Sequence, residues 1–395
     1  MNGTAFATDD ELADYLAAVT TFVDEHVAPR AREVDESETT PSALLAALRG
    51  SGYLSAALPA EWGGGGVDPI PYGLAMEEFG RACSSVRSLL TVHNMSSQAI
   101  FRIGTPEQRA RWLPALCSGD AVIAFALTEE RGGSSAERVR TVVRDCGNEY
   151  ELTGIKKWIT YGQIADLFLV FGRCDGRPIS LIVERNAPGL SVSPIKSVFG
   201  TRGSLLAELR FDGVRVHKSH QIGALGAGFN FVANTAIDHG RFSVAWGCVG
   251  IIRACLDASL TYTGNRDQGD QPLSSHQLVR RLLADMLVSY RATREVCLHA
   301  ARLRRHRDPR AVNETSLAKY LASTSASKAA TDALHLHGAD GCSADFPVAR
   351  WLRDANVMRI IEGTDEIHQI ALANYALQRP YGPSKVVREN DWKYR

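Results

Sequence analysis

Near the C-terminal end of the chain, Glu362 stands directly before Gly363 and directly after Ile360 and Ile361. A carboxylate among apolar neighbours loses hydration, so its pKa rises and it becomes a stronger proton acceptor. Such a group suits proton abstraction; the plain alternative is an acidic residue in a helix-starting turn. Asp238-His239-Gly240-Arg241 opens another helix. With Phe242, Val244 and Trp246 beside it, Arg241 is expected in the interior, where a guanidinium requires an anionic partner. The alternative is a helix-end surface charge. Leu127 to Ser135 reads as a strand entering a polar, glycine-bearing loop with NH and hydroxyl groups to offer, or simply as a turn. In Gly154 to Thr160, Trp158 and Thr160 share one strand face, pairing an aromatic ring with a hydroxyl; otherwise Trp158 is ordinary barrel core.

The elements that must position these groups change texture twice along the 395 residues. Thr8 and Glu11 form a capping-box pair ahead of Leu12, Tyr15, Leu16, Val19, Phe22, Val23 and Val27 at helical spacing, ended by Pro29. Helical patterning resumes after the break Pro59 to Gly66 and runs to Gly119. Short β-rich runs follow: Val122 to Leu127, Glu149 to Leu152, Leu167 to Phe171, Ser180 to Val183 and Leu206 to Phe211. From Asn234 amphipathic helices return. The predicted fold is mostly α with a β-domain insert. A helical domain (1–120) precedes a middle antiparallel β-barrel-like domain (121–232) and a C-terminal helical bundle (233–395).

Composition narrows the functional class. Basic and acidic residues balance at 44 each, giving no electrostatic footprint for nucleic acid or an anionic membrane. No apolar run is read as long enough to span a bilayer. The first residues, Met1-Asn2-Gly3-Thr4, lack the basic and apolar regions of a secretory signal. Eight scattered cysteines include no Cys-x-x-Cys pair, so neither a zinc site nor a disulfide framework is expected, and a reducing cytoplasm is.

Taken together and in order, these segments resemble the acyl-CoA dehydrogenase superfamily over essentially the whole chain. Leu127-Thr128-Glu129-Glu130-Arg131-Gly132-Gly133-Ser134-Ser135 is similar to its Leu-Thr-Glu-Pro-x-x-Gly-Ser-Asp motif, with Glu130 for Pro and Ser135 for Asp. Gly154 to Thr160 resembles Gly-x-Lys-x-Trp-Ile-Thr-Asn, with Tyr161 at the Asn position. Arg266-Asp267-Gln268 with Pro272, Leu273 and Gln277 resembles Arg-x-Gln-Phe-Gly-x-Pro-Leu, with Gly269 and Asp270 replacing Phe-Gly. His335 to Gly341 resembles Gln-x-x-Gly-Gly-x-Gly, with His335 for Gln and Ala339 for Gly.

The resemblance implies an FAD enzyme in which Glu362 takes the α-proton of an acyl thioester. It assigns Thr128, Ser134, Trp158, Thr160 and Thr364 to the cofactor. Arg266, Gln277, His335 and Gly338 go to the adenine and pyrophosphate across a subunit interface, where guanidinium meets phosphate bidentately. Ser134, Asp238, Arg241, Trp246 and Gly363 fall on the substrate side, Asp238 near the pantetheine arm and Trp246 either shortening the pocket or packing between helices. Some relatives carry their base immediately before the equivalent of Arg241, a position held here by Gly240.

Cys83 to Ser88 and Ser243 to Gly250 further resemble the dehydrogenases of hydroxymalonyl- and methoxymalonyl-type polyketide extender units. That implies a short polar acyl group on an acyl carrier protein, a cytoplasmic enzyme and an electron acceptor such as an electron-transfer flavoprotein or oxygen. It also implies a homo-oligomer, at least a dimer and by expectation a tetramer. The alternatives are a CoA-dependent enzyme of fatty-acid or amino-acid catabolism and a non-catalytic flavoprotein or assembly factor.

Overall fold

Helices α1 (Asp9–Phe22), α2 (Ala31–Glu36), α3 (Ser42–Gly50), α4 (Pro69–Ala82), α5 (Ser84–Ile103) and α6 (Pro106–Ser118) build the first third of the protein. The structure is a computed structural model describing residues 9–133 and 138–378. Thr8, expected to cap the first helix, lies outside those residues. Proline and a side-chain acceptor start two of these helices. Asp68 accepts from the Ile70 amide ahead of α4, and Thr105 and Gln108 close a reciprocal capping box ahead of α6.

Among the described residues seven strands follow: β1 (Ile123–Ala126), β2 (Val142–Asp145), β3 (Glu149–Ile159), β4 (Leu167–Cys174), β5 (Arg177–Glu184), β6 (Leu190–Pro194) and β7 (Ala207–His217). Their order is β1-β4-β2-β3-β7-β6, with β5 on the other edge of β4. The sheet is mixed rather than wholly antiparallel. β1 and β2 both run parallel to β4 and occupy the same edge of it, one after the other. The chain leaves that edge after Ala126 and returns to it at Val142 in the same direction. The excursion between them is therefore held against the sheet at both ends. Strands β2 and β6, absent from the sequence reading, are short and largely exposed, with charged or serine residues breaking the apolar signal.

The last part comprises α7 (Asn234–Asn265), the small hairpin β8 (Asp267–Gln268) and β9 (Gln271–Pro272), α8 (Gln277–Arg305), α9 (Ala311–His337), α10 (Val348–Met358) and α11 (Asp365–Leu377). Contrary to the expectation that no segment is apolar enough, Gly228–Asn265 has the length and composition of a membrane span. It is instead the central core helix, with 72% of its most apolar window buried inside the protein. Helices α4 and α7 cross closely because glycines line the seam. A Cβ on Gly80 would lie 2.3 Å from the Gly247 carbonyl oxygen, and one on Gly250 2.1 Å from that of Glu77.

Three regions of the chain are stitched together behind the Glu362 segment. Arg353 pairs with Asp35 and donates to the Phe199 carbonyl. The buried Asp354 carboxylate accepts from the Thr201 amide, and the Tyr161 hydroxyl bonds Thr40 and the Ser85 carbonyl. These ties fix the sheet against both helical regions, which is what a site assembled from all three requires.

Candidate active site

Glu362 lies in the turn between α10 and α11, with φ at +55°, followed by Gly363 at +98°. A left-handed conformation costs a residue with a Cβ about 1–2 kcal/mol, so surrounding contacts must hold it. Two cations do so from adjacent helices. Arg241 of α7 donates to the Glu362 carbonyl at 3.1 Å, and Lys319 of α9 to the Gly363 carbonyl at 2.7 Å. Arg359 and Asp365 close the turn with an ion pair at 2.7 Å. His368, buried and neutral, packs beneath Gly363 and bonds Ser316 through Nδ1.

Glu362 as a residue is half-buried, and its carboxyl group packs against Gly240 of α7. Burial pushes its pKa up to about 7, against the pull of Arg241, Lys319 and Arg87. Desolvation therefore outweighs three nearby cations, leaving a carboxylate poised to take a proton near neutral pH. Space for it comes from Gly240: a Cβ there would lie 2.6 Å from Glu362 Oε2 and 2.7 Å from Cδ. The glycine that the sequence marks as unable to serve as base is thus the residue that admits the base from another segment.

Asp238, one turn before Arg241, is tied by a 2.6 Å ion pair to Arg304, which also donates to Thr315. Its other oxygen is buried with no partner among the described residues. Trp246 is wholly buried, and its indole fills the α4–α7 seam where Gly73 leaves room for it. Of the two readings offered by the sequence, helix packing is the one its surroundings match.

On the sheet side, the excursion after β1 is anchored by Glu129, which accepts from the Arg140 and Thr141 amides, the Thr141 hydroxyl and Lys156 Nζ. Burial alone would raise Glu129, but the fully buried Lys156 and these donors hold it below the usual carboxylate range. Lys156 also donates to the Leu127 carbonyl, and the Lys157 amide to that of Thr128. Thr128 is therefore fixed at the loop's base, while Ser134 lies outside the described residues. Trp158 takes φ +62° at a β-bulge between Lys156 and Ile159. Simple alternation would bury it beside Lys156; the bulge re-aims it outward, leaving it 49% exposed. Thr160 follows, half-buried. An exposed indole at the mouth of an anchored polar loop fits the edge of a flavin ring, whereas a core tryptophan would not.

Gln277 on α8 and His335 on α9, with Arg266 and Gly338 just past the ends of α7 and α9, are all exposed. The end of α7 meets the end of α9 there: Tyr262 stacks on His337 at 4.3 Å and donates to Asp340. Arg266, Tyr262 and His337 help line a cavity of about 800 Å³ that includes none of the Glu362 turn. Asp270 is exposed at the tip of the small hairpin, as is Arg266 before it.

Motif reading missed Lys319, and it missed the roles of Lys156 as counter-charge to Glu129 and of Gly240 as the space for Glu362. For the first, the available signal was a lysine buried in the alanine- and serine-rich pattern of α9, which also carries the exposed Lys328.

Comparison with known proteins agrees with this geometry. The N-terminal, middle and C-terminal domain families of acyl-CoA dehydrogenase match residues 9–120, 124–214 and 226–377. A probable acyl-CoA dehydrogenase, YngJ of Bacillus subtilis, is 37% identical over 364 residues, covering 90% of this chain and 95% of its own. Butyryl-CoA dehydrogenase of Megasphaera elsdenii superposes with a TM-score of 0.90 at 29% identity, covering 95% of this chain and 100% of the other. FkbI, described as serving biosynthesis of the methoxymalonyl extender unit of the Fk520 polyketide immunosuppressant, superposes at 0.85 with 34% identity, covering 92% and 99%.

Proposed function

Because the chain belongs to the acyl-CoA dehydrogenase family and is an FAD-dependent acyl-thioester oxidoreductase, we propose that it oxidises a short acyl group carried on an acyl carrier protein, with Glu362 as base. The observation that carries the base assignment is the enclosed Glu362 carboxyl in a turn clamped by Arg241 and Lys319. The resemblance to FkbI supports the carrier-protein substrate and a role in extender-unit supply.

FAD, when bound, supplies the acceptor for the hydride leaving the β-carbon. Glu362 takes the accompanying proton from the α-carbon, so the acyl group loses one hydride and one proton. For a terminal aldehyde hydrate, the proton would come from oxygen and the hydride still from the β-carbon. Arg241 and Lys319 hold the base turn without capturing the carboxylate itself. The Glu362 amide, presented by the same turn, is a donor suited to the thioester oxygen as negative charge grows there. Trp158, Thr128 and Thr160 would hold the flavin ring, and Thr364 its edge beside the base; Ser134 completes that reading from the same loop. Asp238, with one unsatisfied buried oxygen, is positioned to accept from a pantetheine amide, and Gly363 admits the substrate close to the backbone.

Arg266, Gln277, His335 and Gly338 would bind the adenine half of a partner subunit's FAD, which makes a homo-oligomer, in our reading a tetramer, part of the proposal. Leu278 and Val288 on α8 and Ile370 and Leu377 on α11 are exposed apolar side chains available for such contacts. An electron-transfer flavoprotein or oxygen would reoxidise the flavin, and the buried free thiols suit a reducing cytoplasm.

The test is anaerobic flavin bleaching with one acyl group offered on carrier protein and on CoA. Faster reduction by the carrier-protein thioester supports the proposal. Equal or faster reduction by medium-chain acyl-CoA would point to a catabolic enzyme instead, and colourless protein that takes up no FAD would reject both.

A further inference from the structure

Charge balances over the whole chain, yet Arg302, Arg304, Arg305, Arg307 and Arg310 fall within nine positions, with His306 among them and Asp308 the lone carboxylate. The first three occupy the last turn of α8, and the other two lie in the turn that leads to α9. Basic residues suit a helix C-terminus, but that end carries only about half a negative charge, so three arginines exceed what it asks. Arg304 pairs with Asp238 at 2.6 Å, Arg305 with Asp68 at 2.7 Å and Arg310 with Asp308 at 2.8 Å. Glu314, in the first turn of α9, also acts on Arg310. A sixth arginine, Arg102 near the end of α5, joins the cluster. Lost hydration lowers its pKa, and the like charges of Arg304 and then Arg307 lower it further against the pull of Asp238. The arginines outnumber these acids, and gathering like charges does nothing for stability.

The cluster lies where the substrate side begins. Arg304 stacks over Phe242 at 4.7 Å, and its partner Asp238 stands one turn before Arg241 in α7. Leading into that helix is a π-helical segment, Gly228–Ala233, a rare geometry that is frequent at functional sites where it occurs. Within it Phe231 is 63% exposed. The segment adjoins the end of α5: a Cβ on Gly223 would lie 3.1 Å from both Ile103 and Val232, the residues that follow Arg102 and Phe231. A solvent-facing ring and a group of guanidiniums thus occupy adjoining segments near Asp238.

We propose that the end of α8, the end of α5 and the π-helical segment before α7 form the docking surface for an acidic acyl carrier protein. Carboxylates around the root of its arm meet Arg102, Arg305 and Arg307, an apolar side chain covers Phe231, and the arm passes inward by Asp238 toward Glu362. Free CoA offers phosphates to the arginines but no apolar surface to Phe231, which makes a protein the better fit. This rests on the carrier-protein reading of the function and names the surface that recognises the carrier.

Fluorescence anisotropy tests it without turnover, using the FAD-loaded enzyme and a labelled holo-acyl carrier protein of net negative charge. Wild-type binding should weaken about 10-fold or more between about 20 and about 300 mM salt as the charges are screened. Arg102→Glu with Arg307→Glu should weaken it about 10- to 100-fold at low salt, while flavin absorbance, thermal melt and calorimetric CoA affinity stay near wild type. Phe231→Ser should cost affinity without changing the salt slope. Carrier affinity that is equal in wild type and double variant, or insensitive to salt, would overturn the proposal. So would an equal loss of CoA affinity, which marks a phosphate site instead. The salt series decides even if the variant fails to fold. Failure of the carrier-protein reading itself looks different and overturns both: the wild type then ignores the holo-carrier protein at every salt concentration and binds CoA.

Discussion

Replacing Gly240 by alanine adds one methyl group at the most constrained point of the site. Its carbon would lie 2.6, 2.7 and 3.0 Å from Oε2, Cδ and Oε1 of Glu362. Ordinary contact begins near 3.4 Å, so the carboxylate must retreat by about 0.8 Å. Displacements of about 1 Å at a reacting group cost roughly 100-fold in rate, which puts the expected loss at about 10- to 100-fold. Stability should move the other way or not at all. Position 240 is inside α7, where alanine is favoured over glycine by about 1 kcal/mol, and the crowded atoms are the far end of a side chain that can rotate. Stopped-flow reduction of the bound flavin under anaerobic conditions measures the rate, and a thermal melt measures stability. A Gly240→Ala enzyme that bleaches within twofold of wild type would refute the claim that glycine here reserves the base's position.

Other perturbations probe the supports. The rate of flavin reduction should rise with pH through about 7, because the enclosed carboxyl must be ionised to act; Lys319→Met, which removes a cation that holds this pKa down, should move the midpoint upward and slow the reaction, as read from the pH profile of single-turnover reduction. Glu129→Gln leaves Lys156 buried without its counter-charge and should destabilise by about 3–5 kcal/mol, with loosened FAD, seen by thermal melt and flavin release. Arg266→Ala should weaken FAD binding more than Arg266→Lys, since lysine keeps the charge and loses the bidentate geometry; equilibrium dialysis of FAD compares them.

Much of this arrangement was readable because the site is built from local motifs. The order of helical, β and helical texture, the Glu362-Gly363 turn and the Arg241 neighbourhood all follow from residue types within short windows. What was not legible depends on segments distant in sequence. Gly240 is a glycine because Glu362 comes to rest on it 122 residues later. Lys319 holds a carbonyl of another segment, and no backbone acceptor is marked in a sequence. Trp158 escapes the alternation rule because a bulge shifts the register by which burial would be inferred. The parallel placement of β1 and β2 beside β4 is a matter of topology, to which the strand patterns are indifferent.

The central claim is that Glu362 is the base, and Glu362→Gln addresses it most directly by keeping size and polarity while removing proton affinity. Folding and FAD binding should persist. At pH 8 the variant should even melt higher than the wild type: a carboxylate whose pKa is raised on folding loses stability as pH climbs from its unfolded value near 4.5 to about 7, and the amide escapes that cost. Chemistry should collapse, by at least the roughly 10²–10⁴-fold that general-base catalysis contributes. Anaerobic single-turnover bleaching with a saturating acyl thioester isolates that step from binding and product release. Bleaching slowed by about 100-fold or more, with flavin intact, is the predicted result; reduction within a few-fold of the wild-type rate would contradict the assignment.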